Sequence, residues 1–386
     1  MAVTTAPTLI PQAVQCSQLM LRRSFEIDHD LSRAWTLPAQ AYIDPAVFDD
    51  EMSQIFLRTW QLVGHNDQVA NAGDFFTTEL AGEPLLFVRA ASGELNGFYN
   101  VCRHRAGPPA TGCGSRKLFR CGYHGWTYDL NGRLFRAPEF EGQPGFNAAD
   151  FALAPIRTEE WFNLILANLG DSASPLACRL SELTTQVHKF PFEKMKLLER
   201  RKYDMHCNWK TYIDNYLEGY HLPSIHPGLN RELDYASYIV EPHSNYVRQF
   251  SPMRGAQPGD ETARLYSSAT DGLTTDYFWI FPNWMLNCYP DNVQINMIDP
   301  LAPERTQAVF EWYVLPEVLA NPETMRSVEF SHQTQIEDIA ICETVQKNLH
   351  SRSYQQGRYS IKQEVGVHAF HRMYAEIMNS EQGVSS

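Results

Sequence analysis

The stretch CRHRAGPPATGCGSRKLFRCGYHGW, residues 102–126, contains two short patterns of metal-binding side chains. Cys102 and His104 form a Cys-x-His pair at its start, and Cys121 and His124 form a Cys-x-x-His pair at its end. Thiolate and imidazole are ligands of zinc and of iron in proteins. The spacing therefore predicts two turns that converge on one metal centre.

The ligand types alone do not decide between zinc and iron at this centre. A structural zinc site accepts Cys and His at similar spacings, although a zinc finger usually takes its two cysteines from one half and its two histidines from the other. Here each turn contributes one of each, which resembles a Rieske centre, where one iron binds two thiolates and the other binds two histidines. The run CGYHGW extends the resemblance beyond the ligands. The resemblance implies a [2Fe-2S] cluster with Cys102 and Cys121 on one iron and His104 and His124 on the other.

Composition limits the functional classes. The chain has 386 residues, enough for two to three domains, with 44% hydrophobic and 20% charged residues, as in ordinary soluble proteins. No apolar run approaches the roughly eighteen residues of a spanning helix, so no membrane span is expected. A net charge of -13 argues against a nucleic-acid partner. Eight scattered cysteines indicate a reducing, cytoplasmic location rather than a disulfide framework.

Local patterns predict the order of the domains. Short β-prone runs between Leu62 and about Leu169 are separated by Gly, Asn, Asp and Pro, which is typical of a small antiparallel domain. Asn131-Gly132 is a strong hairpin signal. Small and polar residues at 170–177 predict a boundary. We therefore predict an α+β chain with an N-terminal extension at 1–40, a Rieske domain at 41–170 and a catalytic domain at 171–386.

Apolar spacing adds the individual elements. Helices are predicted over residues 44–60, from Trp209 to about Tyr220, and from about Asn321 to Leu349. Strands are predicted within 275–289 and 306–315, where β-branched and aromatic residues dominate. The second domain is therefore expected to combine a sheet with a long helix near its end.

A second group of metal-binding side chains occurs in NWKTYIDNYLEGYHLPSIHPGL, residues 208–229. His221 and His226 are separated by four residues, and Pro223 between them ends the helix, so the chain can turn back and bring the two imidazoles together. A mononuclear non-haem Fe(II) site binds two histidines and one carboxylate and leaves other positions open. A histidine pair alone is more often surface or core, but the Rieske motif upstream makes iron binding the favoured interpretation.

Together the two motifs resemble the Rieske non-haem iron oxygenase α subunits, from about Thr36 to Met378. The resemblance implies an antiparallel β Rieske domain followed by a catalytic domain with a helix-grip, START-like antiparallel sheet and helices. It also implies Fe(II) and O2 as co-substrate, with His221 and His226 as iron ligands. The third ligand would be a carboxylate of the late helix, Asp338, with Glu337 as the alternative.

Glu218 lies one helical turn before His221 on the same face. The family resemblance implies that this acid bridges His221 to a Rieske histidine of the neighbouring subunit in a homotrimer, and so takes part in catalysis. A plain surface acid is the alternative interpretation. Aromatic-ring dioxygenases usually have Asp here, whereas relatives that act on quaternary ammonium compounds have Glu.

The resemblance is strongest to the choline, glycine betaine and carnitine monooxygenases, because FWIFPNWMLNCYPD, residues 278–291, is similar to a run of that group. It implies O2-dependent N-demethylation or hydroxylation of a small quaternary ammonium compound. No G-x-G-x-x-G fingerprint occurs, so electrons are expected from a separate flavin/ferredoxin-type NAD(P)H reductase. An aromatic-ring or aromatic-acid hydroxylase, and a plain electron carrier, are the alternatives.

Aromatic side chains in this run offer a candidate cage for a trimethylammonium group, since such groups bind well to aromatic faces. Alternating aromatics in a strand are nevertheless more often part of a hydrophobic core, so they are not assigned to the site. The four residues are Trp279, Phe281, Trp284 and Tyr289.

Overall fold

The computed structural model describes residues 25–170, 173–253, 274–289, 292–322 and 324–380. In this part of the chain, two seven-stranded antiparallel sheets and one three-stranded sheet, together with helices, confirm the predicted α+β class. The first 24 residues of the predicted N-terminal extension lie outside the described residues. One Cys/His turn follows a strand of the first seven-stranded sheet, the other joins two strands of the three-stranded sheet, and the downstream histidines lie at one end of the second seven-stranded sheet.

The strands of the first domain form two sheets. A seven-stranded sheet, in the order β1-β10-β9-β4-β3-β2-β5, is accompanied by a small sheet, β6-β7-β8. The predicted hairpin at Asn131-Gly132 joins β7 to β8, and Gly132 has a φ of +76°, which favours glycine. The strands are β1 (Gln61–His65), β2 (Asp74–Leu80), β3 (Glu83–Arg89), β4 (Leu95–Tyr99), β5 (Cys113–Ser115), β6 (Phe119–Arg120), β7 (Thr127–Tyr128), β8 (Leu134–Arg136), β9 (Pro155–Trp161) and β10 (Leu164–Asn168).

The second domain is built on one antiparallel sheet in the order β11-β17-β16-β15-β14-β13-β12. Its strands are β11 (Lys196–Met205), β12 (Ile239–Pro242), β13 (Tyr246–Pro252), β14 (Thr274–Ile280), β15 (Trp284–Cys288), β16 (Val293–Ala302) and β17 (Arg305–Val314). The α-helices of the described chain are α1 (Gln40–Ile43), α2 (Pro45–Glu51), α3 (Leu176–Val187), α4 (Trp209–Tyr216), α5 (Leu222–Ile225), α6 (Leu229–Glu232), α7 (Thr324–Leu349) and α8 (Val365–Met378).

The large catalytic sheet buries both of its faces. On β14, Phe278 and Ile280 pack against α3 and the first domain, whereas Trp279 points to the opposite face and packs beneath α8. This follows from the two-residue period of a strand. Further along the face that carries Trp279, amide side chains replace the apolar ones, and that end of the sheet forms the wall of a cavity.

Helix boundaries differ from the sequence prediction in two places. The helix that starts at Trp209 ends at Tyr216 rather than near Tyr220, after which the chain makes short turns that carry Glu218 and His221. Residues 45–51 are α-helical as predicted, but residues 52–56 form a wider π-helical turn. The spacing of apolar residues predicts a helix but does not predict that one of its turns is widened in this way.

Residues 25–56 pack into the core of the second domain. Glu51, at the end of α2, is fully buried and accepts hydrogen bonds from Lys210 Nζ at 2.5 Å, Trp209 Nε1 at 2.8 Å and the Tyr374 hydroxyl at 2.6 Å. Burial lowers the pKa of Lys210, and the adjacent carboxylate opposes this effect. The chain therefore contacts the catalytic core before it enters the Rieske sheet at Gln61, and the predicted division at residues 40 and 170 stays a prediction.

Replacing Glu51 with Ala should destabilise the second domain, because it leaves the buried ammonium of Lys210 without its carboxylate. The expected loss is about 3–5 kcal/mol of unfolding free energy, visible as a lower melting temperature in calorimetry. Asp49→Ala is the matched control, since Asp49 is exposed on the same helix. Equal melting temperatures for the two variants would contradict the role assigned to Glu51.

Within the described residues, no helix combines the length and the apolar character needed to cross a bilayer.

Candidate metal centres

The first centre lies between two tight turns of the Rieske domain. Cys102 and His104 lie in the turn that follows β4, closed by a hydrogen bond from Cys102 N to Gly107 O at 3.0 Å. Cys121 and His124 lie between β6 and β7, where Cys121 N donates to Trp126 O at 2.8 Å. The predicted convergence of two turns is therefore present.

The side chains of these turns fit a cluster with two kinds of ligand. Cys102 and Cys121 are buried, contact each other and form no disulfide. The rings of His104 and His124 are 4.5 Å apart, and His104 stacks on Trp126 with 4.9 Å between ring centroids. His104 Nδ1 is buried without a hydrogen-bond partner, although its lone pair or proton requires one. An iron ion would satisfy this atom.

Electrostatics at the first centre favour a bound cation. Burial raises the pKa of the Cys121 thiol, and the adjacent Cys102 adds to the effect, so two neighbouring thiolates need positive charge to persist there. Partial burial, together with His124 and Arg105, lowers the pKa of His104, which favours the neutral imidazole that metals bind. A cluster with two thiolates and two imidazoles matches both tendencies.

The second centre lies where α5 and α7 meet the open end of the catalytic sheet. His221 and His226 converge with 5.0 Å between ring centroids, as predicted from Pro223 in the intervening turn. Asp338 Oδ1 lies 2.9 Å from His226 Nε2 and 3.7 Å from His221 Nε2. One ligand atom from each of the three residues falls within a 4.8 Å group. Two imidazoles and one carboxylate match the donor set of non-haem Fe(II).

The other ring nitrogens of both histidines are occupied by carboxylates. Glu218 Oε1 lies 2.6 Å from His221 Nδ1, and Glu337 Oε2 lies 2.8 Å from His226 Nδ1. Each acid therefore fixes a tautomer that leaves Nε2 free to face Asp338. Glu337 had been the alternative third ligand, but its carboxylate lies behind His226 and Asp338 lies between the histidines.

One residue of this centre had no sequence signal. Asn215, on α4, donates from Nδ2 to Asp338 Oδ1 at 2.6 Å and so holds the carboxylate in place. Its position on α4, six residues before His221, is clear only after the helix ends at Tyr216 and the chain folds back.

The charge of His226 reflects its two acidic neighbours. Burial disfavours the imidazolium, but hydrogen bonds and attraction from Asp338 and Glu337 outweigh this, and the pKa of His226 is raised. The arrangement has an excess of negative charge, which a divalent cation between the three residues would offset.

A cavity opens beside Asp338. Its wall at the sheet carries Gln249, Asn287, Gln294 and Asn296, all less than 5% exposed, on the face that holds Trp279 further along. Among the described residues that line it, there are two carboxylates, Glu218 and Asp338, and no lysine or arginine. The aromatic residues of the lining include Tyr216, Tyr238, Tyr277, Tyr289, Phe310 and Phe330.

Two tyrosines of the cavity form hydrogen bonds with side-chain amides of its wall. The hydroxyl of Tyr216 donates to Asn287 Oδ1 at 2.6 Å, and that of Tyr238 donates to Gln249 Oε1 at 3.1 Å. The rings of Tyr277 and Tyr289 meet edge to face, with 5.7 Å between centroids. Because the hydroxyls of Tyr216 and Tyr238 are occupied, the faces of these two rings are held in fixed orientations.

The aromatic residues considered from the sequence lie mostly elsewhere. Trp279 packs against Phe281 and Phe370 in the core, and Trp284 packs against Trp161 near the first domain. Only Tyr289 of that set lines the cavity. The exclusion of Trp279, Phe281 and Trp284 is consistent with the structure, whereas Tyr289 lines the cavity together with tyrosines from α4, from β14 and from the turn before β12.

Comparisons with known proteins agree with this architecture. Residues 59–147 match the model of the Rieske [2Fe-2S] domain, and residues 192–380 match that of the ring hydroxylating alpha subunit (catalytic domain). Choline monooxygenase of Arabidopsis thaliana, described as chloroplastic, is 32% identical over 378 residues, which cover 95% of this chain and 87% of that protein. The chain belongs to the Rieske non-haem iron oxygenase family.

This Rieske oxygenase is also similar to a bacterial enzyme subunit and to a protein of known crystal structure. The carnitine monooxygenase oxygenase subunit of Escherichia coli (strain K12) is 31% identical over 361 residues, covering 89% of this chain and 94% of that protein. The structure of the quaternary ammonium Rieske monooxygenase CntA with its substrate gamma-butyrobetaine has a TM-score of 0.79 and 26% identity, covering 90% of this chain and 97% of CntA.

Membership fixes the cofactors of this Rieske oxygenase. It has a Rieske [2Fe-2S] domain and a catalytic domain for mononuclear iron, and it uses O2. The zinc alternative for the first centre is therefore wrong.

Replacing Glu337 with Gln should weaken iron binding at the second centre, because the amide cannot hold His226 Nδ1 as a carboxylate does. Loss of such a supporting group typically lowers metal affinity about 10–100-fold. Competition with an iron chelator measures the affinity, and the visible spectrum of the Rieske cluster should not change. The control is Glu329→Gln on the same helix, whose carboxylate pairs with Arg201 outside the site. Equal iron affinities in both variants would contradict the role of Glu337.

Proposed function

We propose that this chain is the oxygenase component of a monooxygenase that attacks a small quaternary ammonium compound. Cys102, His104, Cys121 and His124 would hold the [2Fe-2S] cluster, and His221, His226 and Asp338 would hold Fe(II). Bound there, the cluster supplies single electrons and the ferrous ion supplies the site of O2 activation. The observation that carries the proposal is the group of two imidazoles and one carboxylate at the wall of a tyrosine-lined cavity.

The lining of the cavity supports a cationic substrate. The ring faces of Tyr216, Tyr238 and Tyr277 suit a trimethylammonium group, which binds over aromatic rings. The carboxylates of Glu218 and Asp338 add attraction, and the described lining contributes no lysine or arginine to repel the ligand. Side-chain amides on β15 and β16 can accept or donate hydrogen bonds to a hydroxyl or carboxylate at the far end of the substrate.

An aromatic acid is the second candidate, because ring faces also pack against a benzene ring. Naphthalene 1,2-dioxygenase, with a TM-score of 0.74 and 19% identity, shares the fold only. The carboxylate of a benzoate-type acid would lie near two protein carboxylates, without a cationic partner among the described lining residues. Repulsion between like charges therefore favours the quaternary ammonium compound.

The proposed reaction inserts one atom of O2 into a C–H bond. Two electrons and two protons reduce the other atom to water. If the bond belongs to an N-methyl group, the resulting hydroxymethylammonium splits into a tertiary amine, formaldehyde and a proton; at another carbon the alcohol remains. The task of the protein side chains is to hold the methyl group or carbon beside the metal and to keep bulk water away from it.

The partners and location follow from the same proposal. Electrons would come from a separate flavin/ferredoxin-type NAD(P)H reductase, and Glu218 would link His221 to the Rieske histidine of the next subunit in a homotrimer. A solved structure of a quaternary ammonium Rieske monooxygenase is described as giving insight into inter-subunit electron transfer in that protein. The cysteines of the described residues are unpaired, which supports a reducing compartment such as the cytoplasm.

Turnover assays with an added reductase test the function. O2 uptake should be supported by the quaternary ammonium compounds glycine betaine, carnitine, stachydrine and choline. Demethylation should release formaldehyde, whereas hydroxylation at another carbon should give an oxygenated product without formaldehyde. Benzoate-type acids should give neither. The control is His221→Ala, which should keep the cluster spectrum and lose all turnover. Product from the aromatic acids and none from the ammonium compounds would reverse the choice.

Replacing Glu218 with Ala should leave both metal centres loaded but interrupt electron delivery between them, because the bridge behind His221 is lost. Turnover should fall by more than about tenfold while iron content stays near three ions per chain. Rapid-mixing spectroscopy should show that a reduced cluster in this variant is reoxidised slowly in the presence of substrate and O2. Asp234→Ala, at a carboxylate of the neighbouring loop, is the control. Full turnover by Glu218→Ala would show that the bridge is absent.

A further inference from the structure

The Rieske domain carries a concentration of positive charge that is opposite to the chain as a whole. Residues 102–136 contain seven lysines and arginines and one aspartate, whereas the complete chain has a net charge of -13. All seven cationic side chains are exposed. The five that lie on or next to the small sheet β6-β7-β8, with two apolar neighbours, form what we call the basic face: Arg116, Lys117, Leu118, Arg120, Arg133, Phe135 and Arg136.

The basic face surrounds the small sheet β6-β7-β8. Across this sheet, Arg120 pairs with Thr127 and Thr127 pairs with Arg136, so two arginines flank one row. Phe119, Tyr128 and Leu134 point inward and are buried in the core of the domain. On the opposite side Arg120 and Arg136 are exposed to solvent, and Thr127 between them is buried.

The cations of the basic face have no carboxylate partners within the described residues. No ion pair involves them, although Arg116 lies over the Phe75 ring at 5.4 Å. Asp129, the acid within this stretch, accepts backbone hydrogen bonds in its own hairpin, and Glu139 and Glu141, which follow Arg136, form no ion pair with these cations among the described residues. Unpaired charges of one sign raise the local potential and steer a partner of opposite charge.

Apolar side chains lie among these charges. Phe135 is 67% exposed and Leu118 is 37% exposed, on the two outer strands or next to them. A small apolar centre with a charged rim is the usual composition of a protein interface, and electron-transfer contacts are at the small end of interface sizes. A phenylalanine exposed among unpaired cations is consistent with such a contact.

The basic face is also adjacent to the cysteine side of the cluster site. β6 runs directly into Cys121, and Tyr128 on β7 places its hydroxyl 3.2 Å from Cys102 Sγ. His124, in contrast, is exposed at the tip of its turn. Electrons can therefore enter beside the thiolates, while the histidine edge remains open to the acceptor.

From these observations we infer that the basic face is the docking surface for an acidic one-electron carrier, a [2Fe-2S] domain with a negatively charged surface. The inference rests on the proposed function, because a Rieske oxygenase must be reduced by a separate protein. In each encounter the carrier's cluster loses one electron and the Rieske cluster gains it, with no bond made or broken. A second copy of this chain, also acidic overall, is the competing occupant.

A charge-reversal experiment tests the docking surface. The probe is a reduced plant-type ferredoxin, an acidic [2Fe-2S] protein whose potential lies below that of a Rieske centre. Arg133→Glu/Arg136→Glu should slow cluster reduction by this probe at least tenfold at low salt, as loss of electrostatic steering predicts. The wild-type rate should fall as salt increases. Phe135→Ala should weaken binding of the oxidised ferredoxin, measured by calorimetry, without changing the salt dependence.

The control variant is Lys194→Glu/Lys202→Glu, which makes the same change in net charge at exposed positions of the catalytic domain. It should keep the wild-type rate within twofold. Reduction by dithionite and the visible spectrum should be equal in all variants, which separates docking from damage to the cluster.

Three results would overturn the inference. The first is equal slowing in the basic-face and control variants, and the second is a wild-type rate that does not depend on salt. The third is loss of the native oligomer in the Arg133→Glu/Arg136→Glu variant, measured by light scattering, which would assign the face to a second copy. Failure of the proposed function would give a different result: the ferredoxin would still reduce the cluster, but the enzyme would form no product from the quaternary ammonium compounds.

Discussion

The orientation of two imidazole rings is the constraint on which the catalytic centre depends. Each ring has one nitrogen held by a carboxylate, Glu218 for His221 and Glu337 for His226, so the other nitrogen faces Asp338. These two contacts orient the rings before a metal binds, so the three ligand atoms already converge and less reorganisation is needed when iron enters. The early end of α4 and the placement of Glu337 next to Asp338 on α7 both serve this geometry.

The catalytic sheet shows how a scaffold and a cavity share one surface. Along the face above β14 and β15, Trp279 and Met285 belong to the hydrophobic core, whereas Tyr277 and Asn287 line the cavity two residues away on the same strands. The strand period puts all four on one side. The change from apolar to amide side chains along one face therefore marks where packing ends and ligand binding begins.

Much of this arrangement could be predicted from sequence, for reasons that differ by residue. The ligands of the first centre are recognisable because each Cys/His pair lies within a few residues and few kinds of site have this spacing. They are Cys102, His104, Cys121 and His124. His221 and His226 depend on Pro223, which also acts locally. Asn215 could not be identified, because its contact with Asp338 joins segments more than a hundred residues apart. The tyrosine lining was missed for the same reason, since its members come from separate strands and turns.

The buried Glu51 contact has an architectural consequence. Residues before the Rieske sheet are fastened to the catalytic core, and the sheet's first and last strands, β1 and β10, pair side by side with Gln61 opposite Ala167. The Rieske module is thus an insertion whose entry and exit strands are neighbours. It is not a separate domain that simply precedes the second one. Such a module could be exchanged between relatives as a cassette at its two adjacent ends, while a simple N-terminal truncation would also remove part of the catalytic core.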